Sequence, residues 1–304
     1  MPSLKINNKF WSTPDNLKMY ILTGDECNCS CRYCLGRMNP EVYGGKISNE
    51  DYYQRLSNTL KSLDNNVRSL IIFGGEPTIS PRIFGILDVI KGHNSRKVMI
   101  TNAIKLKDNS FLRRINKSDL DIMCISRHDT NEEGNRYLFR NNNIPDKEEL
   151  KVITENLKSN PGFTCNLIKD HIDNLGKVKA YLSQAKEIGI NNISFLELAT
   201  IDKDFPVRNE VIKYCDETRV SINGIVEQMK KDKSFVLINE EARRGSNQKL
   251  FDFTYGDANV QMRTVNTVFE EKKLEEDKNI LYSLKFHPKG VLSASWDPRK
   301  FVLS

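Results

Sequence analysis

Four of the seven cysteines, Cys27, Cys29, Cys31 and Cys34, fall within eight consecutive residues, and three of them have the spacing C-x3-C-x2-C with Tyr33 before the last. No apolar run of signal-peptide length opens the sequence, so the cluster points to metal or redox chemistry over structural disulfides. A [4Fe–4S] cube has four irons. Three thiolates on one loop hold three of them and leave the fourth open to an exogenous ligand, whereas an electron-transferring cluster takes four cysteines. The competing chemistry is a structural zinc site in which Cys27 or Cys29 joins Cys31 and Cys34. Four sulfurs on so short a loop surround one zinc poorly, and no later C-x2-C or His pair helps. Cys29 is either a bystander or a replacement for one of the three. Cys124, Cys165 and Cys215 stand apart, as small buried hydrophobes do, and no second cluster is expected.

A second motif, Phe73-Gly74-Gly75-Glu76-Pro77, follows the next candidate strand. In register with the cysteine loop, it makes the sequence resemble the radical S-adenosylmethionine (radical SAM) superfamily, whose signature has this cysteine spacing and this aromatic. The resemblance implies Cys27, Cys31 and Cys34 as ligands of one catalytic [4Fe–4S] cluster that cleaves S-adenosylmethionine. It implies that Gly74, Gly75 and Glu76 hold the amino group of that cofactor. An ammonium needs carbonyl and carboxylate acceptors, and paired glycines let the backbone come close. Further cofactor-side positions are Tyr33, Asn102, Ser126, Asn166 and Ala199, each at the cysteine loop or a strand end. Ala103 stands where many relatives have the glycine of Thr-Asn-Gly. These matches run from Met19 to Thr200.

In the chemistry so implied, an external one-electron reductant of flavodoxin or ferredoxin type feeds the cluster, and a 5′-deoxyadenosyl radical abstracts hydrogen from substrate. The cofactor carries that step while the protein positions substrate and excludes water. The motifs are distantly similar to those of the molybdenum cofactor cyclase group. The basic residues that hold its triphosphate are missing, since Tyr20, Ile71 and Thr164 stand there, and no cysteine follows Cys215 to bind a C-terminal cluster. Neither that activity nor an auxiliary-cluster peptide-maturase architecture carries over.

The elements that must position these residues alternate between strand-length and helix-length runs, the pattern of right-handed βαβ units. Strands are predicted at Met19–Leu22, Ser69–Phe73, Lys97–Thr101, Asp121–Ser126, Phe163–Ile168 and Asn192–Leu198. Helices are predicted at Asn49–Leu63, Pro81–Lys91, Asn109–Ile115, Asp146–Lys158 and Asn174–Ile188, the first opened by a Ser48/Asp51 capping pair. The expected fold is α/β, a partial (β/α)6 TIM-like barrel over 19–204, preceded by an N-terminal extension over 1–18. An α+β cap over 205–304 follows, with one helical run Arg208–Lys231, short strands, and a hairpin turn at His287-Pro288-Lys289-Gly290. Strand alternation adds that if Ser126 faces the lumen so does Cys124, and that Cys165 faces the helices if Asn166 does not. By the same parity Glu197 falls with Phe195 and Ala199, which places a carboxylate inside the barrel as either a substrate or cofactor contact or one half of a buried ion pair.

With 46 Lys and Arg against 40 Asp and Glu, the +6 charge is interleaved and favours anionic small molecules over nucleic acid. No stretch suggests a membrane span, and a cytoplasmic enzyme is expected. The leading substrate class is a small molecule, such as a natural-product, nucleotide or sugar intermediate. A peptide side chain is the alternative, for which a leader-binding domain is expected and Met1–Lys18 leaves no room, and a zinc-stabilised binding module is the non-enzymatic one. Substrate contacts are expected from Arg127, His128, Glu197 and Arg263, with Asp129, Arg136, Tyr137, Arg140, Tyr255 and His287 as further candidates. An arginine among them would grip a carboxylate or phosphate through two parallel hydrogen bonds.

Overall fold

The computed structural model describes residues 2–36, 47–63, 66–201, 205–243, 248–265, 267–277 and 279–304. Six parallel strands follow one another in chain order: β3 (Lys18–Leu22), β4 (Ser69–Phe73), β5 (Arg96–Thr101), β6 (Ile122–Ser126), β7 (Asn160–Leu167) and β8 (Asn192–Glu197). Their Met19, Ile72, Met99, Met123, Phe163 and Phe195 are buried toward the covering helices. Residues of the opposite parity, Tyr20, Phe73, Ile100, Ser126, Thr164 and Leu196, line one cavity. The sheet therefore curls around a lumen as an open, partial barrel.

The helices end where local chemistry ends them. Ser48 Oγ accepts from the Asp51 amide at 3.0 Å and opens Asn49–Leu63, while Gly189 at φ 88° closes Leu175–Ile188. The predicted run Arg208–Lys231 is two helices, Asn209–Thr218 and Ile222–Lys231. Ser221 accepts from the Asn223 amide, and a serine caps a helix better than it continues one. A helix at Glu132–Phe139, capped by Asn131, lies in a stretch whose local pattern predicts none.

The C-terminal third embraces the barrel from both sides. Strand β9 (Phe235–Arg243), β10 (Gln248–Tyr255) and β11 (Ala258–Arg263) form an antiparallel meander, and β11 joins β8 in parallel. Strand β12 (Leu284–Phe286) joins β3 in parallel, pairing Lys285 with Tyr20, and β13 (Leu292–Ser293) folds back on it. Eleven strands result, in the order β13-β12-β3-β4-β5-β6-β7-β8-β11-β10-β9. The predicted turn between the last two is present, with Gly290 at φ 72°. Arg82, 5% exposed, fastens this hairpin by donating to Pro288 O at 2.8 Å and to Ile47 O at 2.9 Å.

At the N-terminus, β1 (Ser3–Ile6) and β2 (Lys9–Ser12) form a separate hairpin. Its turn residues Asn7 and Asn8 have φ 47° and 63°, a local signal that the sequence carried unread. No described helix is long and apolar enough to cross a membrane.

Candidate active site

The cysteine loop leaves β3 at the end where β4 delivers the glycine pair, and the two are built as one unit. Thr23 donates from its amide to Phe73 O at 2.9 Å and from its hydroxyl to Gly74 O at 2.8 Å. The Glu76 amide donates to Glu26 O at 2.8 Å. Gly74 and Gly75 have φ 91° and 51°, and a Cβ on Gly75 would stand 2.2 Å from Glu26 O. Only glycine permits the cysteine loop to lie this close.

Glu76 is 2% exposed and burial raises its pKa against the pull of four hydrogen bonds. Oε1 accepts from the Thr78 amide at 3.1 Å and from the Thr78 and Thr101 hydroxyls at 2.6 Å each; Oε2 accepts from the Asn102 amide at 2.8 Å. A carboxylate oxygen has two lone pairs, so Oε2 keeps capacity for one more donor. Asn102 reaches back to the cysteine loop, its Nδ2 donating to Asn28 Oδ1 at 2.7 Å and to Cys29 Sγ at 3.3 Å. The Cys31 thiol is held below its usual pKa, first by a hydrogen bond from the Cys29 thiol, with burial opposing.

Cys27, Cys29, Cys31 and Cys34 line a cavity of about 840 Å³. Tyr33, Gly74, Gly75, Glu76, Asn102, Ser126, Asn166 and Ala199 line it too. Its donor set, three thiols spaced along one loop beside carbonyl and carboxylate acceptors, fits an iron–sulfur cluster together with a ligand bearing an ammonium group. Cys27, Cys31 and Cys34 could hold the one, and the Gly74–Glu76 corner the other.

Three of the expected substrate contacts, His128, Glu197 and Arg263, also belong to the cavity wall. His128 is packed face to face on Phe139 and edge-on to Tyr33, each at 5.0 Å between ring centres. Its Nδ1 accepts from the Asn166 amide at 3.0 Å, which leaves the proton on Nε2, and burial pushes its pKa down to about 3. His128 is thus a neutral donor. The parity expected to put Glu197 inside the barrel works the other way, because Phe195 packs into the core beneath the helices; Glu197 borders the cavity at the strand end, and its Oε2 accepts from the Ile222 amide at 3.2 Å at the start of a helix. Arg263 ends β11 with its buried Nε unpartnered.

Arg127 does not face the cavity. The alternation of β6 runs one residue past Ser126, sending Arg127 outward to Glu132 at 2.8 Å, with its side chain 1% exposed. Asp129 pairs with His171 behind the wall. Arg136, Tyr137 and Arg140 belong to the helix Glu132–Phe139 and its end, Tyr255 lies tilted against Phe235 with ring centres 4.6 Å apart, and His287 is sealed against Ser293 Oγ at 2.8 Å. Strand parity does place Cys165, fully buried, against the helix side and leaves Cys124 near Thr164 and Arg263.

The sequence reading missed the aromatic wall of Tyr20, Phe73 and Trp296, with Tyr20 and Trp296 4.9 Å apart. Trp296 reaches this wall only because β12 returns to β3, a contact no local pattern announces.

A model of the Radical SAM superfamily matches residues 21–195. No curated protein matches the sequence. Among solved structures, Streptococcus suis SuiB bound to S-adenosylmethionine is similar with a TM-score of 0.59 and 13% identity, over 95% of this chain and 61% of SuiB. SuiB bound to its precursor peptide SuiA gives 0.58 and 15%, over 92% of this chain and 59% of SuiB. The chain therefore spans about three fifths of the length of SuiB, and the likeness is one of fold.

Proposed function

Because the chain belongs to the radical SAM superfamily, enzymes that use a [4Fe–4S] cluster and S-adenosylmethionine, we propose that it cleaves that cofactor reductively and abstracts hydrogen from a small anionic molecule. The family match sets aside a zinc-stabilised binding module. Cys27, Cys31 and Cys34 would hold the cluster, which when bound would supply the electron for cleaving the sulfonium bond. The Gly74–Glu76 corner takes the amino group, with Glu76 Oε2 as the charged acceptor. His128 offers Nε2–H, and Asn166, whose amide fixes that tautomer, shares its wall.

The observation that carries the substrate class is Arg263. It is a guanidinium in the wall of the same cavity as the thiols, with a buried Nε lacking a partner and no ion pair among the described residues. A carboxylate or phosphate satisfies it. The aromatic wall of Tyr20, Phe73 and Trp296 excludes water.

The test is anaerobic reconstitution with iron and sulfide, reduction, and measurement of 5′-deoxyadenosine. A broad band near ~400 nm and product that disappears in Cys31→Ala are expected. Candidate anions should stimulate 5′-deoxyadenosine in the native enzyme and fail to do so in Arg263→Ala, which keeps basal cleavage. Absence of 5′-deoxyadenosine from the reconstituted enzyme defeats the reading. A second reading, radical modification of a peptide, draws on the SuiB–SuiA complex, whose fold this chain shares. Label transferred into a peptide and not into small anions would favour it.

A further inference from the structure

One row of the cavity wall carries a guanidinium and a carboxylate on either side of an apolar residue. Strands β8, β11, β10 and β9 run in register there, with Leu196 beside Arg263, Arg263 beside Leu250 and Leu250 beside Glu241. Residues paired across a sheet share a face. Leu196, Arg263 and Glu241 all line the cavity, so the row belongs to the lumen side, with Leu250, 8% exposed, between the two charges.

The other charged groups of the wall are committed or remote. Glu76 belongs to the ammonium corner, and Glu197 accepts from the Ile222 amide. Asp15 and Lys18 stand at the start of β3, the end opposite to the cysteine loop. Arg263 closes β11, and its partner Leu196 lies near the end of the parallel β8, so the charged row shares the end that carries the cysteines. Neither Arg263 nor Glu241 makes an ion pair or a side-chain hydrogen bond among the described residues, and the buried Nε of Arg263 has no partner. Charges that serve only the sheet stand directly opposite each other on neighbouring strands. These two are separated by a whole strand, about 10 Å between Cα atoms at ordinary strand spacing. Their long side chains take up most of that distance and leave a gap for one small group that meets both. A guanidinium fits a carboxylate and a carboxylate fits an ammonium. The two charges sit that close together on the single carbon of an α-amino acid.

The far side of the lumen indicates the rest of the ligand. Tyr20, Phe73 and Trp296 belong to β3, β4 and the residues after β13, toward the opposite end of the sheet order from β11 and β10, and the curl of the sheet brings both ends to one cavity. Their ring centres lie between 4.9 and 6.4 Å apart, in the tilted and edge-on arrangements that a further aromatic ring joins favourably.

We infer that the substrate is a free α-amino acid with an aromatic side chain, its carboxylate on Arg263, its ammonium on Glu241 and its ring against Tyr20 and Trp296. This rests on the anion-binding role of Arg263 proposed above and narrows it to one class of carboxylate. A residue inside a peptide chain carries neither charge and does not fit.

The test is calorimetric titration of the reconstituted enzyme, with saturating S-adenosylmethionine occupying the Gly74–Glu76 corner. The probes are L-tryptophan, L-tyrosine and L-phenylalanine, each beside its 3-arylpropionate, its arylethylamine and its N-acetyl amide. At least one amino acid should bind about tenfold or more tightly than each of its own analogues, the scale of a hydrogen bond to a charged group. Glu241→Gln should weaken that amino acid to the level of its arylpropionate, and Arg263→Gln should weaken it to the level of its arylethylamine. Equal binding of amino acid and N-acetyl amide overturns the assignment. So do the failure of all three amino acids to bind and a native preference that survives in Glu241→Gln. Binding requires no cleavage of the cofactor, so these preferences in an enzyme that forms no 5′-deoxyadenosine uphold the amino-acid site and count against the proposed activity alone.

Discussion

The side-chain amide of Asn102 donates to Cys29 Sγ at 3.3 Å, so the third strand's end grips the one cysteine of the loop that the C-x3-C-x2-C spacing does not use. The same amide holds Asn28, and Cys29 donates in turn toward Cys31. Cys29 thereby braces Cys31, one of the three cysteines proposed to hold the cluster.

From this follows a division among the cysteines. Cys29→Ala should reconstitute with roughly four irons per chain and retain 5′-deoxyadenosine formation within a few-fold, whereas Cys31→Ala should lose both. Iron and sulfide analysis alongside product assay checks it. A Cys29→Ala protein devoid of iron would make Cys29 a ligand.

Gly75→Ala tests the joint between the two motifs. The added methyl would lie 2.2 Å from Glu26 O at a residue whose φ is 51°, so backbone must move. We expect about 2–4 kcal/mol of destabilisation and a sharply reduced iron content, with far-UV circular dichroism unchanged. Gly92→Ala, whose φ of 73° has open space around it, isolates the cost of conformation alone.

Two buried histidines should weaken the fold between pH 7 and pH 5. His128 and His287 are buried, and burial lowers their pKa to about 3 and about 4. An unfolded histidine titrates near 6.5, so the unfolded state binds more protons between those values and stability falls as pH falls through that window. Between pH 7 and pH 5 each histidine should cost about 2 kcal/mol. Glu76, whose pKa is raised, acts in the opposite sense, since its ionisation at higher pH is what burial penalises. Denaturant titrations at both pH values are the measurement. His287→Gln should remove about half of the loss, and an unchanged slope would dismiss this account.

Arg82→Ala should weaken the fastening of the β12–β13 hairpin. It strands the carbonyls of Pro288 and Ile47 and removes a guanidinium stacked 4.4 Å from the centre of the Tyr52 ring. The expected loss is about 2–4 kcal/mol. Limited proteolysis should now cut near Lys289 before the barrel strands.

Much of this site was legible because its residues sit at strand ends, where a motif and a parity suffice. The six strands β3–β8, the cysteine spacing, the Gly-Gly-Glu corner and the opposite facings of Cys124 and Cys165 all follow from local pattern. Arg127 shows how such reading fails. It stands next to a lumen-facing serine, yet the strand's alternation persists one residue further than its apolar run suggested. The helix Glu132–Phe139 hid among polar residues because its stability comes from the Asn131 cap and from packing Leu138 and Phe139 inward. The closing contacts of β11 and β12 were out of reach for another reason. Short strands choose partners by the free edges the rest of the sheet leaves, and those edges exist only in three dimensions.

The place of β12 beside β3 also sets an order of events in time. Strand β3, which leads into the cysteine loop, emerges early in synthesis, but its second neighbour arrives only after residues 284–286 have been made. Until then the Tyr20 side of the lumen lacks Trp296 and stands open to solvent. Pairing across so long a stretch of chain is slow to form. The nascent protein therefore passes through a period in which its thiols are accessible from a side that the finished enzyme closes, a window for loading iron and sulfur and equally one of vulnerability to oxidation.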